Sequence, residues 1–360
     1  MRYPPLTSET FIDKSKRKFG NKFDYSIINY TSIHNKIKLI CPDHGIIEIG
    51  ASNHLVSKTG CAECGKAQRQ DLKNHLKNIK DVHVLSDIFK ELNINYLFKE
   101  KILSPLLPPV DYFLPEYNLA IQIHFTNDLI QHPKYCIEYL RAKGNVKLIQ
   151  IFEDELLNKI EIVKSRIKSQ LGHSSKIYAR KCTVELIDKK GKSSFLNQNH
   201  IQGNDKSQIW IGLRHENDLV AVMTFCKPRL VMGKKVNDDE WELSRYCSSI
   251  GTNVIGGAGK LLKYFELHFS PNKIYSYADR RWSSGDLYSL LGFNLIRFTS
   301  LNYKYYKNGM QFHRFKYRKS MLPDMLDNFD PGLSEAKNMA NHGFHQIWDC
   351  GNILFEKCIV

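Results

Sequence analysis

No stretch of the 360-residue chain approaches the roughly 20 consecutive apolar residues that a membrane span requires. The opening residues, Met1 to Pro5, hold no apolar run of the signal-peptide kind. A cytoplasmic protein with no membrane partner is therefore expected. A dense, even-numbered cysteine framework is also missing. The nine cysteines are scattered, and only Cys61 and Cys64 lie close together. That pattern argues against secreted disulfides and for reduced thiols with a metal site. Internal repeats and long low-complexity linkers are absent. Acid is scarce: 37 Asp and Glu stand against 52 Lys and Arg, a formal charge of +15. With no amphipathic basic anchor in view, that balance favours a nucleic acid over a membrane surface. The competing explanation is a basic enzyme without a polyanion partner.

Hydrophobic residues make up 42% of the chain, enough for ordinary cores, and the length exceeds one typical domain. Three modules are expected, over residues 1–70, 71–172 and 173–360. The joints fall in the polar stretch from Lys66 to Asp71 and in the turn from Leu171 to Ser175. The fold class is α/β multi-domain.

In the first module, Ser8 to Phe19 reads as a short basic helix anchored by Phe11, with Lys16, Arg17 and Lys18 free for DNA. Two strands, Ile37 to Ile40 and Ile46 to Ile49, flank Cys41-Pro-Asp-His44-Gly. Gly60-Cys61-Ala-Glu-Cys64-Gly follows. Cys41, His44, Cys61 and Cys64 form a C-x2-H…C-x2-C set. Thiolates and imidazole are the ligands tetrahedral Zn²⁺ prefers, and four of them close the site, making it structural. His54 is left over and is expected to pack. The first 80 residues hold 14 Lys/Arg against 7 Asp/Glu, so a basic zinc ribbon that anchors DNA is the natural reading. The segment resembles small zinc modules at the front of many phage and giant-virus endonucleases. Phe23-Asp-Tyr25, Cys41 to Gly45, His54-Leu55 and Gly60 to Cys64 carry that likeness, with Phe23 standing where the pattern has Tyr.

In the middle module, Val82 to Leu92 reads as a helix and Asn95 to Phe98 as a strand. Val110 to Phe125 reads as two strands joined by Pro115-Glu-Tyr-Asn. Val146 to Phe152 is a buried strand running into Glu153-Asp154-Glu155, and a helix over 156–170 follows. The order resembles the restriction-like nuclease superfamily, in which a strand-borne Asp and a neighbouring Glu-x-Lys hold Mg²⁺ and the attacking water. Gln122-Ile-His124 replaces Glu-x-Lys here. The likeness is therefore to the Vsr-type and "E-D-x-H-D" branch. By that resemblance Asp111 is the Mg²⁺ ligand, Gln122 the variable position, His132 the helper histidine and Asp154 the late acid. Asp87 or Glu91 is left as the opening acid. The alternative is that the fold survives without activity, with Asp111 a turn residue and His132 a surface histidine.

The third module opens with a hairpin signal, Ile209 to Leu213 and Leu219 to Phe225 around His215 to Asp218, followed by a strand from Trp241 to Cys247. A Gly-rich turn at Gly257 and Gly259 then opens a helix, Lys273 to Tyr277 makes a strand, and Leu291-Gly-Phe293 closes the next helix. This order resembles the GNAT acyltransferase fold, whose Gly-rich turn takes the pyrophosphate of acetyl-CoA on helix N-terminal amides. Val254 stands where that family has a basic residue, so no use of acetyl-CoA is expected. The phrases from Asn199 to Gly203, Thr224 to Arg229, Glu242 to Arg245, Ser276 to Gly285 and Ile347 to Asn352 together resemble the Hef-like homing endonucleases of phages. The Ser276 to Asp279 phrase is also similar to the Mom DNA-modification proteins.

His200, Arg229, Glu242, Arg245, Asp279, Arg280, Arg281 and Tyr288 gather at expected strand ends. They form either a phosphate- or base-contacting cleft or a network of structural ion pairs. Asn302 to Ser320 carries six Lys/Arg and no acid, interleaved with aromatics. Arg314 and Arg318 there suit phosphate contact beside stacking rings. A strand pair with an aromatic core face and a basic outer face is the other reading, and both can hold together. The expectation is a Mg²⁺-dependent site-specific endonuclease with a structural Zn²⁺, acting on double-stranded DNA. The rivals are a GNAT-fold DNA-modifying transferase and a non-catalytic DNA-binding protein.

Overall fold

A computed structural model describes residues 7–57, 59–67, 85–125, 133–228, 239–307 and 310–359. His132, Arg229 and the expected joint at 68–71 lie outside them. The chain divides into two compact units, residues 1–83 and 84–360.

In the first unit, α1 (Ser8–Phe19) starts at Thr7, whose hydroxyl accepts from the Thr10 amide, and stops at Gly20, where φ is +62°. Phe11 is fully buried while Lys16, Arg17 and Lys18 face solvent. The hairpin of β1 (Lys36–Cys41) and β2 (Gly45–Gly50) pairs Cys41 with Gly45 at its tight end. Ile37, Leu39 and Cys41 alternate inward, as period-two patterning requires. Helix α2 (Ala51–Val56) follows.

The second unit opens with α3 (Ser86–Glu91) and a four-stranded sheet. Its strands are β3 (Leu97–Glu100), β4 (Val110–Leu114), β5 (Leu119–His124) and, after α4 (Tyr135–Ala142), β6 (Lys147–Phe152). The order is β3-β4-β5-β6, antiparallel except for β5 and β6. The expected Pro115 to Asn118 turn is a 3-10 turn ending in Asn118 at φ +45°. All six β5 residues are buried, so this strand is the centre of the layer. Helix α5 (Glu153–Gln170) begins three residues earlier than the sequence suggested. Glu153, Asp154 and Glu155 therefore form its first turn, where carboxylates meet the positive end of the helix dipole.

The rest of the unit runs β7 (Ser175–Tyr178), β8 (Thr183–Leu186), α6 (Lys189–Asn199), β9 (Ile209–His215), β10 (Asp218–Cys226), β11 (Glu240–Ser248) and β12 (Thr252–Ile255). After these come α7 (Gly257–Phe269), β13 (Lys273–Asp279), α8 (Asp286–Leu290), β14 (Asn294–Phe298), β15 (Tyr303–Lys307), β16 (Met310–His313), α9 (Glu335–Asn341), β17 (His345–Trp348) and β18 (Asn352–Cys358). Seven strands form one sheet in the order β14-β18-β13-β11-β10-β9-β8. Every pairing is antiparallel except β11 with β13, whose ladder covers only Glu240–Glu242 against Lys273–Tyr275. Helix α7 covers this sheet, with Phe265 stacked on Phe225 at 3.6 Å between centroids. Strands β12 and β7 pair in parallel as a two-stranded sheet, and β16-β15-β17 make a three-stranded one.

The four-stranded and seven-stranded sheets belong to the same unit, and specific bonds join them. The Gln150 amide donates to the Arg281 carbonyl at 3.0 Å, and the Gly251 amide to Ser165 Oγ at 2.9 Å. The buried Cys136 and Cys350 thiols touch, with Sγ atoms 2.7 Å apart. Among the described residues no helix is long and apolar enough to cross a membrane.

Candidate metal centre and polar cavity

The β1–β2 turn brings Cys41 and His44 to one side of a pocket, and the segment after α2 brings Cys61 and Cys64 to the other. One donor atom from each lies within 4.8 Å of all the rest. Cys41 Sγ is 3.6 Å from Cys64 Sγ and 3.6 Å from His44 Nδ1, which is 3.7 Å from Cys61 Sγ and 3.4 Å from Cys64 Sγ. A tetrahedron with Zn–S bonds of ~2.3 Å has edges of about 3.8 Å, and slightly less to a nitrogen vertex. The donor set and its spacing fit a structural Zn²⁺ held through His44 Nδ1. Three thiolates around Zn²⁺ leave one negative charge. Lys22 Nζ stands 3.7 Å from Cys64 Sγ to offset it. The Cys64 amide also approaches Cys61 Sγ at 3.5 Å, fixing the second ligand turn.

His54 packs, as expected, and does more. It is fully buried among Phe11, Phe19, Phe23 and Tyr25. Nδ1 donates to the Gly60 carbonyl at 2.6 Å, and Nε2 accepts from the Tyr25 hydroxyl at 3.0 Å. Burial holds its pKa below the ordinary value, which keeps the ring in this neutral tautomer. Gly60 sits at φ +71°, and a Cβ there would fall 2.5 Å from the Phe23 ring. The aromatic residues of the sequence motif thus form the frame that holds the Cys61 turn.

The middle sheet does not assemble the expected Mg²⁺ centre. Asp111 is buried on β4 where the β4–β5 ladder ends. Its Oδ2 accepts from the Ile123 amide at 2.6 Å, replacing the missing ladder partner, and its Oδ1 is paired with the Lys99 ammonium. Lys99 carried no sequence signal, and its φ is +59°. Gln122 is buried on β5 and donates through Nε2 to the Ile123 carbonyl at 2.8 Å, leaving Oε1 without a partner. His124 Nε2 bonds to Gln150 Oε1 at 2.7 Å, and burial depresses its pKa to about 4. Asp87 is exposed, and Glu91 is tied to Lys168 at 2.8 Å. Among the described residues, only the Cys/His cluster brings three or more His, Cys, Asp or Glu donors together. Hard, octahedral Mg²⁺ needs free carboxylate oxygens. A lysine ammonium already holds the one carboxylate here, and the neighbouring donor is a neutral amide. Among the described residues, the donors beside Asp111 do not make up a Mg²⁺ site; the expected helper His132 lies outside them.

Asp154 lies elsewhere, in a polar cavity of about 480 Å³ within the second unit. Asp154, Glu155, Asp279 and Asp349 line it together with Lys159, Lys304 and Arg281. Gln311 Nε2 donates to Asp154 Oδ1 at 2.6 Å, and Lys304 Nζ donates to Gln311 Oε1 at 2.7 Å. Burial, followed by the adjacent Glu155 charge, raises the Asp154 pKa to about 6. Arg281, expected at DNA, is instead a buried hub. It grips Glu155 through both carboxylate oxygens at 3.0 and 2.9 Å, holds Asp279 at 2.8 Å, and lies 4.4 Å over the Phe152 ring. Gln311, Lys304 and Glu155 were not singled out from the sequence. Asp349 was visible only as part of the Ile347 to Asn352 phrase.

The remaining expected contacts divide by exposure. Arg318 is exposed and Arg314 half-buried, their guanidinium groups 4.6 and 5.2 Å from the Phe315 ring centre. Arg280 is half-buried, donates to the Cys350 carbonyl at 3.0 Å and covers Phe298. Arg245 is half-buried and donates to the Ser244 carbonyl at 2.7 Å. His200 Nδ1 accepts from the Gln202 amide at 3.1 Å; burial, Arg245, Arg166 and Lys159 hold its pKa well below the ordinary value. Tyr288 meets Ser276 at 2.9 Å and stacks on Phe355.

At the Gly-rich turn the helix cap is Gly256, at φ +76°, and Gly257 is the first helical residue. Val254 is buried, and the Tyr246 hydroxyl lies against the first turn of the helix, 3.1 Å from where a Cβ on Gly257 would fall. Lys260 Nζ is spent on the Ala179 and Cys182 carbonyls.

Residues 4–65 match a family described as a protein of unknown function, DUF723. Over 58 residues the chain is 36% identical to the uncharacterized protein R892 of Acanthamoeba polyphaga mimivirus, covering 16% of this chain. The chain spans about a fifth (22%) of that relative's length. Among solved structures, it is similar to a Bacillus subtilis acetyltransferase in complex with CoA (11% identity, 50% of this chain, 100% of that one, TM-score 0.29). It is also similar to a GNAT family acetyltransferase from Elizabethkingia anophelis with acetyl-CoA bound (13% identity, 50% and 99%, TM-score 0.28). A third is the ribosomal-protein-S18-alanine N-acetyltransferase of Escherichia coli (11% identity, 49% and 94%, TM-score 0.29). The chain is thus a mixed α/β protein whose N-terminal segment matches the DUF723 model and holds a Cys/His four-ligand cluster.

Proposed function

We propose that this chain is a double-stranded-DNA-binding protein built on the plan of a phage homing endonuclease, with a middle module that retains the nuclease framework but does not cut. The observation that carries the non-cutting part is the Asp111–Lys99 pair, which places a side-chain cation where the metal would be needed. The +15 charge, the exposed Lys16, Arg17 and Lys18 on α1, and the Arg314–Arg318 turn support the DNA part. A zinc-stapled hairpin holds the first of these basic faces rigid without a large core. The rival GNAT-type transferase reading loses ground because Val254 is a buried apolar residue where that family has a basic one, and Lys260 is spent on the Ala179 and Cys182 carbonyls.

One observation favours the endonuclease reading. Gln122 Oε1 is a buried acceptor without a partner on the strand next to Asp111. The test is incubation of the full chain with plasmid and phage genomic DNA in Mg²⁺ or Mn²⁺, alongside a gel-shift titration on the same DNA. Binding without cleavage is expected. Metal-dependent cleavage that Asp111→Asn abolishes would restore the endonuclease reading. Failure to bind DNA at low salt would sink both.

A further inference from the structure

We infer that the polar cavity at the start of α5 receives a single unpaired nucleobase of bound DNA; this rests on the DNA-binding reading above. At about 480 Å³ it falls within the range of small-ligand sites, roughly 300–1,000 Å³. Its charges nearly balance. Four carboxylates face three cations, and Arg166 adds a fourth positive charge beside Asp279. A phosphate would meet net repulsion from Asp154 and Asp349, so a neutral ligand is favoured.

The lining also suits a base edge. Asn158, Gln202, Asn302, Gln311 and Asn352 all face the cavity. A carboxamide carries a donor beside an acceptor, the pattern that pairs with the edge of a base; Gln311 spends both on Asp154 and Lys304, so Gln202 and Asn352 are the pairing edges. Phe152, Ile201 and Ile347 supply apolar wall for its faces. Burial and Glu155 raise the Asp154 pKa to about 6, so at physiological pH its carboxylate is an acceptor for a base's amino group.

The approach to the cavity has the complementary character. Gln311 lies on β16, which leads directly into the turn Arg314–Tyr317. There Phe315 is 48% exposed between the guanidinium groups of Arg314 and Arg318. Cations for the phosphates and a ring for stacking therefore follow within a few residues of the cavity wall. Enzymes and readers that take a base out of the stack combine these elements: backbone cations, an aromatic surface and a hydrogen-bonding pocket.

The experiment measures the affinity of the full chain for a fully paired duplex and for the same duplex carrying one bulged adenine. A preference for the bulge of about tenfold is expected, the scale of one stacked and hydrogen-bonded base. Gln202→Trp and Asn158→Trp place bulk at exposed positions on the cavity lining. They should erase the preference while leaving paired-duplex affinity unchanged. Gln311→Ala, which removes the partner of both Asp154 and Lys304, provides a second variant that adds no bulk and should reduce the preference. Paired-duplex binding with no bulge preference, or a preference that survives all three substitutions, overturns the cavity assignment and leaves the DNA reading standing. Absence of binding to either duplex overturns the DNA reading itself.

Discussion

Arg281 reaches back 126 residues to hold both carboxylate oxygens of Glu155, joining the first turn of α5 to the end of β13. The pair is buried, and Asp279 completes it from the other side. Sequence reading left Arg281 either in a DNA-contacting cleft or in a network of structural ion pairs. The fold places it in the second, because the turn after β13 that carries it is bonded to the four-stranded sheet through the Gln150 amide.

Breaking this pair should cost more than any surface change in the chain. Glu155→Ala leaves a buried guanidinium with only Asp279 for a partner, and loss of one member of a buried pair typically costs about 3–5 kcal/mol. Urea denaturation of the variant should show a correspondingly lower midpoint. Arg281→Lys should recover only part of the loss, since an ammonium cannot make the two-pronged contact. A midpoint equal to the parent's in Glu155→Ala would show that the pair holds nothing together.

Asp154 gives the stability a pH dependence of known sign. Its pKa is raised from 3.8 to about 6 in the folded chain, so the folded state favours its protonated form. That contribution is complete below about pH 4 and is lost as pH rises through about 6. Asp154→Asn, compared with the parent, should therefore match it near pH 4 and be relatively more stable at pH 7 and above. Denaturant titrations at the two pH values check this. An advantage of the variant that is the same at both would contradict it.

Removing the metal should act on the first unit alone. Purified protein should hold about one zinc per chain. Cys64→Ser or a strong chelator should release it and expose the segment from α1 to Cys64 to protease. The sheets of the second unit, which share no ligand with the cluster, should keep their circular dichroism. Gly60→Ala should mimic chelation in part, because the added Cβ meets Phe23. A metal-free first unit that resists protease would exclude a structural zinc.

DNA affinity should fall steeply with salt, each neutralised phosphate adding roughly −0.9 to the log–log slope. Arg314→Ala and Arg318→Ala should each make the slope shallower by about one unit. Arg281→Ala should leave it unchanged if the variant folds, since that side chain faces Glu155 and Asp279. Fluorescence anisotropy at several salt concentrations separates these outcomes, and a flat slope in the parent would remove DNA as the main partner.

Acetyl-CoA should not bind at concentrations below the millimolar range, roughly the affinity left when a helix terminus acts without a basic partner. Calorimetry on the full chain checks this. Micromolar binding would return the transferase reading to first place.

The sequence by itself determined whatever depends on near neighbours. The ligand pairs Cys41/His44 and Cys61/Cys64 were legible because two donors three residues apart on a tight turn must converge. Helix α1 was legible in its Phe11 anchor and basic face, and β1, β4 and β5 in their apolar runs. The start of α5 was not: Glu153 to Glu155 read equally well as the end of a strand. Only Phe152's amide bond to Glu155 shows that the helix has begun. The tertiary structure alone decided which charges face one another across long loops. It gave Asp111 to Lys99, sent Arg281 to Glu155, and moved Asp154 away from Asp111 into a cavity closed by Lys304 and Gln311. The physical reason is that a charge's role depends on distance and dielectric. Neither is set by sequence spacing once the partners lie on different segments of the fold, whether 12 residues apart like Lys99 and Asp111 or 126 apart like Glu155 and Arg281.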